Sequence, residues 1–176
     1  MKPFLFLALA FGTTASAADK GTPVAFDSLK SVAPASWVKE KPANRFRYFQ
    51  FKLPRAAGDK ADASVVIFKG LGGSVKANVK RWQSTFVPPS GKSIDDISKV
   101  QEVKIGGRKA VRVDISGTFV DRPFPGSPKK TLRPDYQFVG IQLDGPDNPY
   151  HIKLTGPKKT VQKYLKGFNQ WLESIK

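Results

Sequence analysis

His151 is the side chain best suited to acid–base chemistry, because it is the single histidine. In an extended strand it would share a face with Lys153 and Thr155, since side chains alternate in direction. If a neighbouring strand presented Asp114 and Ser116 on that face, the Asp–His–Ser set would be able to activate a hydroxyl nucleophile. Such a site requires mutual hydrogen bonds. The alternative is a polar sheet face, so a hydrolase stays a second hypothesis.

A glycine-rich segment, residues 70–74 (GLGGS), lies between a predicted strand and a predicted helix. Free backbone N–H groups in such a loop can hold an anion, with Lys76 nearby. A phosphate loop would end in Gly-Lys-Ser/Thr, and Gly73-Ser74-Val75-Lys76 does not. The sequence therefore favours a tight turn in which Ser74 caps the helix.

The proline-rich segment 121–135 is the strongest interaction candidate. Prolines restrict its backbone, so presenting its side chains to a partner loses less conformational freedom. The alternative is an ordinary connecting loop. The predicted contact residues are Arg122, Phe124, Lys129, Lys130 and Arg133.

Metal and cofactor chemistry have little support in the composition. The chain has no cysteine and one histidine, and its acidic residues do not form a calcium-type ladder. A pair of catalytic carboxylates is not favoured either, because the glutamates lie in charged or terminal contexts. We expect no metal, no cofactor and no enzymatic activity.

A formal net charge of +16 predicts attraction to polyanions such as acidic sugars or anionic lipid. No alternation of basic and aromatic residues marks a nucleic-acid module, so we expect no specific nucleic-acid binding. The alternative is a basic protein with scattered charges.

The N-terminus has the layout of a secretory signal peptide over residues 1–17. Lys2 precedes an apolar run at 4–11, and small residues at 15–17 offer a cleavage site. The run is too short to span a bilayer, which needs about 20 residues. We therefore expect export to the periplasm or beyond the cell, with no transmembrane segment in the mature chain; an uncleaved anchor is the alternative.

Residues 18–34 are polar and predict a flexible lead-in, with ordered structure beginning near Trp37. Residues 35–176 predict a single domain. Period-2 and period-3.6 patterns indicate the order β-β-α-β-β-β-β-α. The strands are expected at 45–53, 63–69, 100–105, 109–119, 136–143 and 150–155, with helices over 75–87 and from 157 to the end.

Short connections between strands favour a largely antiparallel sheet. Residues 65–68 are apolar on both faces, which is typical of a central strand covered on both sides. The predicted fold class is therefore an α/β (α+β) sandwich.

Several short segments of the chain are distinctive: 51–54 (FKLP), 58–59 (GD), 72–74 (GGS), Asn78, 81–82 (RW), 116–118 (SGT), 150–157 (YHIKLTGP) and 171–174 (WLES). Through these segments, residues 45–176 resemble a group of uncharacterised exported bacterial proteins with the PsbP-like α/β/α sandwich fold. The resemblance implies that fold and identifies no catalytic residues. Fold relatives include an extrinsic photosystem II protein and a nuclear-import factor that binds the Ran GTPase, but fold alone does not transfer function.

The sequence thus predicts an exported, non-enzymatic binding or scaffolding domain. Its expected partner is an anionic component of the cell envelope or an envelope protein.

Overall fold

An antiparallel sheet of eight strands is the centre of the computed structural model, which describes residues 20–124, 126–145 and 148–176. A separate hairpin consists of β1 (Thr22–Phe26) and β2 (Leu29–Ala33). The helices are α1 (Val75–Gln83) and α2 (Lys158–Glu173), with a short 3-10 turn at Asp95–Ile97. The sheet strands are β3 (Val38–Glu40), β4 (Arg47–Leu53), β5 (Ala63–Lys69), β6 (Phe86–Val87), β7 (Ser98–Ile105), β8 (Arg108–Asp121), β9 (Thr131–Leu143) and β10 (Tyr150–Pro157).

The strands follow the order β3-β4-β5-β10-β9-β8-β6, and β7 also pairs with β8. Each of these pairs is antiparallel, as predicted. β5 lies between β4 and β10, and Val65, Val66 and Ile67 are buried, so the prediction of a central strand is confirmed. The turn between β7 and β8 has positive φ at Gly106 and Gly107, as a tight hairpin requires.

The two helices cover opposite faces of the sheet. α2 packs its apolar stripe on the face formed by Val139, Ile141, Ile152 and Leu154. α1 places Trp82 on the other face, against Phe138. This arrangement confirms the predicted sandwich.

The segment expected to be a flexible lead-in forms the β1–β2 hairpin, so ordered structure begins before Trp37. Val24, Phe26 and Leu29 are buried in the α2-side core. Lys30 and Lys176 each donate a backbone hydrogen bond to the other's carbonyl, at 2.8 and 3.1 Å. The predicted signal peptide, residues 1–17, lies outside the described residues.

Helix α1 begins as predicted and ends earlier than predicted. The Ser74 hydroxyl accepts a hydrogen bond from the Ala77 N–H at 3.2 Å, which confirms the N-cap. The helix ends at Gln83 rather than at 87, because Phe86 and Val87 join the sheet as β6 and pair with Phe119 and Thr118.

The proline-rich segment is shorter than the predicted loop. β8 continues to Asp121 and β9 begins at Thr131, so the two strands extend as a paired arm around residues 122–130. The pairing skips at Gly117/Phe119, where Pro134 and Asp135 lie on the opposing strand. Pro134 has no N–H to donate and Asp135 has a φ of 55°, which accounts for the irregular pairing.

Candidate functional site

His151 does not meet Asp114 or Ser116. His151 pairs with Gln142 on β9, and Gln142 pairs with Val111 on β8. Directly paired side chains share a face and alternate residues change face, so His151 lies on the α1 side and Asp114 on the α2 side. The prediction of an Asp–His–Ser cluster is therefore wrong. The hydrolase hypothesis required these three side chains to be within hydrogen-bonding distance of one another, and they are not.

Asp114 is engaged on its own side of the sheet. Both of its carboxylate oxygens accept hydrogen bonds from the Arg112 guanidinium, at 2.6 and 2.8 Å. Arg112 also donates to Asn169 of α2 at 2.8 Å. Arg112 therefore links β8 to α2.

His151 is buried, with 1% of its surface exposed. Its ring contacts Trp82 edge to face, at 5.7 Å between centroids, and its Nε2 atom has no hydrogen-bond partner. Burial, reinforced by the charges of Lys153 and Arg81, lowers the pKa of His151 to about 4. The imidazole is consequently neutral at pH 7.

Lys153 lies beside His151 on the same face of β10. Its Nζ atom is 4.8 Å from the centre of the Phe68 ring and 5.8 Å from that of Trp82. Burial, together with the positive charges of Arg81 and Arg47, lowers the pKa of Lys153 to about 8. The aromatic faces offset part of the lost hydration of the ammonium group.

Two arginines complete this group of positive charges. Arg47 lies 5.9 Å from the Phe68 ring centre and donates to Gln50 at 2.7 Å, while its buried Nε has no partner. Arg81, on α1, donates to Asn78 at 2.8 Å. Arg47, Arg81 and Lys153 form what we call the α1 cation cluster.

A buried amide pair anchors α1 above this cluster. Asn78 donates to Gln142 of β9 at 3.1 Å and to the Gly73 carbonyl at 3.2 Å. The glycine-rich loop thus acts as a turn that leads into a capped helix, as the sequence favoured. The anion-holding alternative for that loop gains no support from these contacts.

Sequence reasoning missed the α1 cation cluster because its members come from three separate elements. Arg47 belongs to β4, Arg81 to α1 and Lys153 to β10, and β4 and β10 are neighbours only through β5. One signal was available in the sequence. Lys153 lies in a predicted strand whose side chains are expected to be mostly buried, and lysine is seldom buried without a partner.

All five residues predicted as partner contacts lie in the β8–β9 arm, which comprises the paired ends of β8 and β9 (119–121 and 131–133) and the described residues between them, 122–124 and 126–130. Each is exposed, and Phe124 has 61% of its surface accessible. Arg122 donates to the Ser127 carbonyl at 2.5 Å. Arg133 forms an ion pair with Asp121 at 3.1 Å.

Lys129 and Lys130 are the arm's remaining predicted cations. Neither forms an ion pair with a described acidic residue. Leu132 adds a second exposed apolar side chain to the arm, with 53% of its surface accessible. The structure brings the predicted residues together, and their contact with a partner stays a prediction.

A cavity of about 570 Å³ lies elsewhere, between the start of α1 and the β7–β8 hairpin. Glu102, Lys104, Lys109 and Asp144 line it with charges of both signs. Over residues 20–124, 126–145 and 148–176, no three His, Asp or Glu side chains are grouped to hold a metal ion. None of the helices in this part of the chain has the length and apolar character that crossing a membrane requires.

The fold is similar to that of a known solution structure, cyanobacterial PsbP (CyanoP) from Synechocystis sp. PCC 6803. The two chains are 9% identical, with a TM-score of 0.53, and the match covers 95% of this chain and 96% of the other. At this identity the similarity shows a PsbP-like fold and nothing about activity.

A crystal structure of a Pseudomonas aeruginosa protein of unknown function also matches, with 15% identity and a TM-score of 0.45. That match covers 88% of this chain and 95% of the other. No protein-family model matches the chain, and comparison with curated proteins finds no match.

Proposed function

We propose that this chain is an exported, non-enzymatic binding domain whose β8–β9 arm contacts an anionic membrane surface of the cell envelope. One observation carries the proposal: the arm presents exposed Phe124 and Leu132 together with Lys129 and Lys130. A simple polyanion requires only the cations. An anionic bilayer also accommodates apolar side chains at its interface, which favours the membrane over an acidic polymer or an acidic protein.

Electrostatics support the same proposal. The whole chain carries a formal net charge of +16, so it is attracted to an anionic surface before any contact forms. Near such a surface each lysine or arginine contributes about 1 kcal/mol. Lys129 and Lys130 have no described acidic partner to give up on binding, unlike Arg133, whose ion pair with Asp121 would be lost.

The assignment to a non-enzymatic class is supported by the separation of His151 from Asp114 by the sheet. The export part of the proposal is supported by the N-terminal sequence pattern.

The test is sedimentation of the host-processed protein with vesicles. Vesicles of phosphatidylglycerol mixed with phosphatidylcholine are compared with vesicles of phosphatidylcholine alone. Binding to the anionic vesicles should weaken as salt rises. Replacement of Lys129 and Lys130 by Ser should weaken it about 30-fold, as two interactions of about 1 kcal/mol require.

Matched controls separate the arm from net charge. Lys104→Ser with Lys109→Ser removes the same charge from the distant β7–β8 hairpin and should change vesicle binding little. Phe124→Ser should weaken binding without changing its salt dependence. Equal losses of vesicle binding from the two double-lysine variants would contradict the arm as the contact surface. Retention on heparin or on an acidic protein, with no binding to vesicles, would contradict the proposal that the partner is a membrane surface.

A further inference from the structure

The α1 cation cluster lacks the acidic partners that such a group of charges ordinarily has. Arg47 and Lys153 lie within 6 Å of the same Phe68 ring centre. Arg81 directly precedes Trp82, whose ring centre lies 5.8 Å from Lys153 Nζ, and its positive charge acts on both Lys153 and His151. No ion pair of the described residues includes any of the three. Arg47 and Lys153 are partly buried, whereas Arg81 is exposed. Partly buried cations without a counter-charge destabilise a fold, so the convergence of Arg47 and Lys153 requires a physical explanation.

The nearest acidic group in this hydrogen-bond network does not neutralise the cluster. Glu40 accepts a hydrogen bond from the Gln50 side chain at 2.8 Å, and Gln50 accepts from Arg47 at 2.7 Å. The Glu40 carboxylate is thus separated from Arg47 by an intervening amide. The buried Nε of Arg47 and the buried Nε2 of His151 both remain without partners.

We infer that the α1 cation cluster is a binding site for a small oxyanion, a phosphate or sulfate group, held by Arg47, Arg81 and Lys153. An oxyanion supplies the missing negative charge and several acceptor oxygens for the donors of the two guanidinium groups and the ammonium group. The pKa of Lys153 is lowered first by burial and further by the charges of Arg81 and Arg47, and this second contribution agrees with uncompensated like charges in this region.

The single histidine provides an unambiguous probe, since His151 lies beside Lys153 and against Trp82. The full chain, as processed by its host, is titrated with inorganic phosphate, sulfate and chloride at equal ionic strength while the His151 imidazole signals are followed by NMR. Phosphate and sulfate should produce saturating shifts, and chloride should not. Phosphate should also raise the melting temperature by mass action.

Lys153→Met retains much of the side-chain volume and removes the charge. It should weaken phosphate binding about tenfold or more, because a charge-assisted contact is lost. Lys166→Met, on the exposed side of α2, should leave phosphate binding unchanged. Arg47→Gln provides a second variant should Lys153→Met fail to fold. Equal NMR responses to chloride and phosphate would overturn the proposed oxyanion site. Unchanged phosphate binding in both cluster variants would also overturn it.

The source of the oxyanion is tested separately. If the site binds a lipid headgroup, Lys153→Met should also weaken binding to phosphatidylglycerol vesicles. If it binds a soluble phosphate compound, that variant should lose only the response to phosphate. The arm variant with Ser at 129 and 130 should bind phosphate normally in either case. Failure of the arm proposal and failure of this site are therefore distinguishable.

Discussion

His151 and Asp114 lie on opposite faces of the same sheet. Two strand registers establish this relationship, since His151 is paired with Gln142 and Gln142 with Val111, three residues before Asp114. Asp114 is instead held by Arg112, and His151 lies next to Trp82. The acidic residue that would orient the imidazole in a hydrolase is thus bound on the far side of the backbone.

The first prediction concerns the pH dependence of stability. His151 has a pKa of about 4 in the folded chain, against an ordinary histidine pKa of 6.5. The unfolded chain therefore binds the proton more readily, and stability should fall as pH falls from 6.5 to about 4. The loss should be about 3 kcal/mol from this group. Urea unfolding at several pH values measures it, and His151→Gln should remove this component.

NMR titration of the single imidazole gives an independent check. Asp114→Asn should leave the pKa of His151 near 4, because the sheet separates the two groups. Lys153→Met should raise that pKa, because one repelling charge is removed. A large change in the first variant would contradict the opposite-face arrangement.

A second prediction tests the β1–β2 hairpin. The Phe26 ring is fully buried and meets Tyr150 at 4.9 Å between centroids. Phe26→Ala should lower the free energy of unfolding by about 3–5 kcal/mol. Val32→Ala is the control, since Val32 has 58% of its surface exposed and should change stability by less than about 0.5 kcal/mol. If both substitutions changed the free energy of unfolding by a similarly small amount, the hairpin would not pack on the core.

A third prediction tests the packing of α1 on the sheet. A Cβ atom at Gly140 would lie 2.5 Å from the Phe138 ring and 2.8 Å from Trp82. Gly140→Ala should destabilise the fold by about 1–3 kcal/mol through overpacking and should shift the His151 NMR signals. Gly72→Ala, where a Cβ would meet no atom within 4 Å, should do neither. Chemical denaturation and NMR of both variants would decide the matter.

The fourth prediction concerns export. Cleavage after the small residues at 15–17 would leave a mature protein beginning near Ala18 or Asp19. Amino-terminal sequencing of the protein isolated from its natural host measures this directly. An intact Met1 on protein from the cytoplasmic fraction would contradict export and, with it, the proposed envelope surface.

Local patterns were sufficient to predict several elements of this fold. The alternation and apolar content of residues 63–69 predicted β5, which spans Ala63–Lys69, and the Gly106–Gly107 turn predicted the β7–β8 hairpin. Ser74 predicted the N-cap of α1 because a cap depends on neighbours within one helical turn.

The β1–β2 hairpin lacked such a signal. Its strands have five residues each, and polar residues surround the few apolar side chains that become buried. Their burial depends on contacts with Tyr150, Trp171 and the C-terminal Lys176, all distant in sequence. Contacts between distant residues leave no local periodicity to detect.

The sequence by itself determined the charge, the lack of cysteine, most of the strands and both helices, because these depend on composition or on neighbouring residues. Only the tertiary structure decided which polar groups meet. Strand order placed Arg47 and Lys153 on either side of Phe68, and strand register placed His151 away from Asp114. A shift of one residue in register exchanges the two faces of a strand, so partner choice across the sheet cannot be derived from spacing along the chain.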